Sequence, residues 1–267
     1  MNPYISLLKV RFLNGLQYRA AALGGLLTQF FWGIMAILIY QAFYVNGGQS
    51  QTISFSQLIT YIWLQQAFLA LIMLYDWDYE LFGMITSGSI SYELCRPFNL
   101  YGLWYVKLLS KRLSSVTLRF SPIIVIAFLV PEPYKLSLPH SSISFLLFII
   151  TMVLGLLLLV SISMLIYISV FKTMSPVGSM SFIGIVGEFL SGMTIPIPLM
   201  PEWLQKVCYI FPFRWTADLP LRVYSGNISV NEAIMSIGVQ LVWIAILIGI
   251  GSIIMQRITR RVVIQGG

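Results

Sequence analysis

The chain has 267 residues, 58% hydrophobic and only 9% charged, with a formal net charge of +7. A soluble domain carries about 25% charged residues to stay in water, so this composition excludes a water-facing globule. The basic excess suggests nucleic acid at first sight, but the placement of the charges points instead to membrane orientation.

Apolar runs of about 20 residues match the ~30 Å hydrocarbon core of a bilayer. The runs are continuous rather than alternating, which favours helices over a barrel, and helices satisfy their own backbone groups in lipid. The pattern predicts an all-α integral membrane protein with about six transmembrane helices, both termini cytoplasmic, and an outer re-entrant segment before the last helix. Residues 1–267 read as a single transmembrane domain.

Residues 1–19 form a basic interfacial lead-in, with Ile5, Leu8, Phe12 and Leu16 at helical spacing. It is too polar for a cleaved secretory signal. The first span is expected over Ala20 to Tyr44, and Asn46-Gly47-Gly48 marks an uncharged outer turn. The second span follows from Ser56 to Tyr75.

The stretch from Asp76 to Arg119 holds nine of the chain's 25 charged residues, the 16 basic and 9 acidic ones together. Its first part, residues 76–112, reads as a cytoplasmic platform between spans. Tyr79 to Ile85 suits a short helix, and Gly88 suits the left-handed position just past its end. Arg96-Pro97 enforces extended backbone before the next helix. The third span is expected from Leu113 to Val130, kinked at Pro122.

A short outer loop, Pro131 to His140, leads to a fourth span from Ser141 to Phe171. A fifth runs from Pro176 to Thr194, with Ser175 as its expected N-cap. Residues 195–228 differ from the rest. Pro196, Pro198, Pro201 and Pro212 break up an apolar run, and Pro201-Glu202 opens a short helix. This segment, with Trp203, is expected to dip into the outer leaflet as a gate. Ser229 and Glu232 have capping-box spacing at the start of the sixth span, which ends near Met255.

Counting charges on this topology puts twelve Lys and Arg inside and four outside, namely Lys135, Lys206, Arg214 and Arg222. That is a clear positive-inside bias, and it accounts for the net charge without nucleic acid.

Few groups in the chain suggest chemistry. Gly83 to Ser89 has the glycine spacing of a phosphate loop but lacks its lysine, so ATP would be bound elsewhere. Cys95 and Cys208 fall on opposite sides of the membrane and cannot pair. His140 has no ligand cluster around it, so no metal site is expected. No catalytic set stands out. Glu188 is the one acidic residue inside a span, surrounded by Gly184, Gly187, Ser191 and Gly192. It either holds helices together or acts in a transport path.

This arrangement, with the stretch Ser87 to Tyr101 (SGSISYELCRPFNLY), resembles the membrane subunits of type-2 ABC (ATP-binding cassette) exporters. The likeness covers essentially the whole chain and is strongest to a bacterial branch of short permeases often encoded in pairs beside one ATPase. It implies a coupling helix that meets the ATPase at Glu80, Leu81, Met84, Ile85 and Gly88, with Glu93, Arg96 and Pro97 behind it. It implies outer re-entrant helices over Ile195 to Pro212. It further implies a dimer of identical or related permeases in lipid, with ATP and magnesium on the partner ATPase and no cofactor on this chain. The expected activity is export of an amphipathic or hydrophobic substrate (drug, peptide or lipid-like) across a bacterial cell membrane. Two other classes stay open at this point: a membrane-embedded enzyme acting on lipid, and an ion-coupled secondary transporter.

Overall fold

The computed structural model describes residues 3–17, 19–46, 52–95 and 97–260. Every regular element among them is helical. Among the described residues, four helices are long and apolar enough to cross a membrane: Gly24–Val45 within α2 (Arg19–Asn46), α7 (Leu100–Leu129), α8 (Ser142–Thr173) and α12 (Val230–Thr259). They correspond to the first, third, fourth and sixth expected spans.

The other two are shorter. The second expected span is divided into α3 (Phe55–Ala67) and α4 (Leu69–Ile72), with Phe68 out of helical geometry between them. The fifth is α9 (Val177–Leu190), 14 residues long. It starts without a side-chain cap. Ser175 does not cap it; its carbonyl instead accepts the Thr173 hydroxyl at 2.8 Å, in the turn that follows left-handed Met174.

Local sequence sets several helix starts. Ser54 and Gln57 form a reciprocal capping box on α3. Asn99, Ser141 and Ser229 each accept a first-turn N–H of α7, α8 and α12. α7 begins well before Leu113, so its first turns (100–112) belong to the platform region, and the helix runs through Pro122 as one element.

α8 is the central helix, and α12, α7 and α11 (Asp218–Tyr224) pack around it. Gly155 lets the chain just before α11 approach α8 closely. A Cβ there would lie 2.7 Å from the Thr216 carbonyl oxygen. Nearby, Gln240 on α12 donates to the Thr151 and Trp215 carbonyls at 2.9 and 2.8 Å. α1 (Pro3–Gly15) lies along α7.

The proline-rich segment folds as a 3-10 turn (Ile197–Leu199), α10 (Glu202–Ile210), a second 3-10 turn (Phe213–Trp215) and α11. Of its charges, Glu202 and Lys206 are exposed, while Arg214, Asp218 and Arg222 are drawn inside. Asp218 is fully buried and meets Arg222 at 3.3 Å and Arg214 at 4.0 Å. Arg214 also lies 3.8 Å over the Tyr209 ring. Arg222 donates to Asn227 at 2.7 Å, and Asn227 to the Thr52 carbonyl at 3.0 Å. This clamp fixes the segment to the start of α3. Cys95 is exposed and Cys208 buried, both as free thiols.

Candidate functional site: a platform, a linker and a cavity

The platform is built by α5 (Tyr79–Thr86) and α6 (Ser91–Leu94). Asp78 caps α5 by accepting the Glu80 and Leu81 N–H groups. Leu81, Phe82 and Ile85 are buried on the α8 side, where Phe82 stacks on Tyr167 at 4.4 Å. The opposite face, with Tyr79, Glu80, Gly83 and Thr86, is exposed. Gly88 follows in the left-handed conformation (φ +75°), also exposed.

The coupling residues therefore separate into two groups. Glu80, Gly88 and Pro97 lie on the surface, and Met84 is half-buried. Leu81 and Ile85 face the interior on the buried side of α5, and Glu93, expected behind the coupling helix, is buried as well. Glu93 pairs with Lys107 of α7 and accepts the Trp104 indole N–H at 2.5 Å. Arg96 lies outside the described residues. Glu80 accepts two hydrogen bonds from Arg11 of α1, at 2.8 and 2.9 Å. These bonds hold the Glu80 carboxyl below its ordinary range and push the Arg11 guanidinium up.

The linker from Met73 to Asp78 joins α4 to the platform; its Met73 N–H closes α4 on the Leu69 carbonyl and its Trp77 N–H meets the Tyr75 carbonyl. Side chains of three other helices also hold the linker. Arg112 of α7 is buried and donates to the Met73 carbonyl at 2.7 Å. Lys111 binds the Trp77 carbonyl and Asp76, both at 2.6 Å. The Tyr167 hydroxyl of α8 accepts the Asp78 N–H at 2.6 Å. Glu188 of α9 accepts the Tyr75 N–H at 3.3 Å. Gly184 and Gly187 allow this approach, since Cβ atoms there would press on Tyr75 and Leu74.

Beside the linker lies a cavity of about 1210 Å³, lined by α2, α3, α4, the end of α9 and the proline-rich segment. Pro196, Pro198 and Pro201 are in its wall; exposed Trp203 and buried Pro212 are not. Its polar groups include Gln29, Gln65, Gln66 and Glu188. Glu188 thus touches both the cavity and the linker. Among the described residues no cluster of His, Cys, Asp or Glu could hold a metal.

The profile described as ABC-2 family transporter protein matches residues 30–266. The chain belongs to that family. It is a multi-pass membrane protein and the permease component of an ABC transporter, a transport subunit rather than a catalytic one. No curated protein matches the chain.

Two parts of this permease's site were not visible in its sequence. The partner of Glu188 is a backbone N–H, which no residue type announces. The Arg214–Asp218–Arg222 clamp draws on charges that look like ordinary interfacial ones until the fold buries them. A signal existed for the linker, because Lys111 and Arg112 adjoin a predicted span and a lipid-facing role would not suit them.

Proposed function

We propose that this permease works in an ATP-driven exporter, with a separate ATPase docked on the exposed face of α5 and α6. ATP and magnesium belong to that partner. On this reading the chain crosses a bacterial cell membrane six times with both termini inside. α4 and α9, though short, complete the second and fifth crossings. The proline-rich segment re-enters the outer leaflet and closes the cavity from outside. A second permease, identical or related, supplies the other half of the path. The cargo is amphipathic or hydrophobic, in keeping with a largely apolar cavity wall.

One observation carries the proposal. Glu188 lies in the cavity wall and also accepts the N–H of Tyr75, in the linker that leads to the platform. Movement of α5 by a docked ATPase would therefore pull on α9 and reshape the cavity. The test is purification of the full chain from its native membrane, then ATP hydrolysis in liposomes. A nucleotide-binding subunit should co-purify, and Tyr79→Ala with Tyr92→Ala, both on the exposed face, should weaken its attachment. Recovery of an active transporter with no such subunit would sink the proposal.

A further inference from the structure

The charge of the cavity wall carries information about cargo, on the reading that this cavity is part of the export path. Among the described residues, the wall contains two carboxylates, Glu188 and Glu202, and no lysine, arginine or histidine. Glu202 is exposed and makes no ion pair among the described residues. Glu188 lies at the linker, where Arg112 is the buried cation behind it. Arg112 directs its hydrogen bonds to the Met73 and Ala70 carbonyls and is not in the wall.

Gln29 points independently to a missing donor. It is only 4% exposed, it lines the cavity, and its Oε1 has no hydrogen-bond partner among the described residues. A buried acceptor is costly to leave unmade, so a ligand N–H placed there is favoured. α2 adds Trp32, Tyr40, Phe43 and Tyr44 to the same wall. Aromatic faces attract cations and also cover an apolar body. An anion in this space would meet two carboxylates and, among the described residues of the wall, no cation.

We propose that the cavity selects cationic amphiphiles, molecules carrying an ammonium or guanidinium N–H donor on an apolar body, and rejects anionic ones. The experiment uses the full chain in nanodiscs of uncharged phosphatidylcholine, so that the lipid surface adds no charge preference. The probes share one fluorescent body: dansyl cadaverine, its N-acetyl derivative, and the carboxylate-ended analogue. The ammonium probe should bind about tenfold more tightly than the acetylated one, the scale of one desolvated cation–aromatic contact. The carboxylate probe should bind weakest. Glu202→Gln, on the exposed rim, and Glu188→Gln, which keeps an acceptor for Tyr75, should each reduce the preference several-fold.

Equal binding of the three probes, or a preference undiminished in the double Gln variant, overturns charge selection. If that equal binding is lost in Trp32→Ala, the cavity remains a binding chamber and the export reading stands. If no probe binds at all, charge selection and the cavity's place in the path fall together.

Discussion

Glu93 offers a sharp test of how the platform is held. Glu93 and Lys107 are 8% and 6% exposed, and Trp104, which donates to the same carboxylate, is fully buried. Glu93→Ala leaves the Lys107 ammonium buried without its partner, which costs about 3–5 kcal/mol. Glu93→Gln keeps an acceptor for Trp104 but loses the charge, and should cost about 2 kcal/mol. A double variant, Glu93→Leu with Lys107→Met, removes both charges and should recover to within about 1 kcal/mol of the parent. The assay is equilibrium unfolding in detergent, followed by tryptophan fluorescence. At about 1.4 kcal/mol per tenfold, the alanine variant should lose at least a hundredfold in its folded-to-unfolded ratio. If the alanine variant is as stable as the parent, or the double variant as damaged as the single one, the pair is not what anchors α6 to α7.

Other expectations are more local. The Arg11–Glu80 pair is largely exposed and should contribute under about 1 kcal/mol. Because folding depresses the Glu80 pKa, that contribution is present above the ordinary carboxylate range and lost as pH falls through the folded value. Hydrogen exchange at α1 and α5 should accelerate together in acid, and Arg11→Gln should remove the pH dependence. Gly155→Ala pushes a methyl group against the Thr216 carbonyl and should destabilise by about 1–3 kcal/mol in the same unfolding assay. In a Cys95→Ser background, a cysteine at Ser137 should react with an impermeant thiol reagent added outside intact cells. One at Ser89 should stay unlabelled, and its labelling from outside would invert the proposed topology.

The parts of the fold legible in the sequence were those set by local chemistry. α10 opens at Glu202 after Pro201, and α12 opens on the Ser229 cap, as their residues required. The split of the second span was hidden because nothing near Phe68 breaks a helix by itself; the stretch is continuous and apolar. Tertiary partners accompany the break, with Arg112 taking the Ala70 and Met73 carbonyls. The early start of α7 was hidden for a related reason. Lys107, Lys111 and Arg112 look like loop charges before a span, yet each finds its acceptor beside the helix. The resemblance places a coupling helix on Glu80 to Gly88 without saying which side faces out; helical periodicity on α5 puts Leu81 and Ile85 on its buried side.

The shortness of α9 has an electrical consequence. Its 14 residues span about 21 Å, against a hydrocarbon layer of about 30 Å. On the proposed topology the remaining thickness lies on the outer side and is filled by the irregular turn at Pro196 and Pro198. Irregular backbone persists at that depth only against protein or water. Pro196, Ile197 and Pro198 are buried against protein; should the transport cycle open this turn to outside water, the outside potential would reach the end of α9 and the membrane voltage would fall across a thinner layer below it. Glu188 lies two residues from that end, near the outer boundary of the layer. One elementary charge moved through 100 mV corresponds to about 2.3 kcal/mol. A cation that reaches Glu188 from the cytoplasm has then crossed most of the field, so a negative-inside voltage opposes loading and acts little on release.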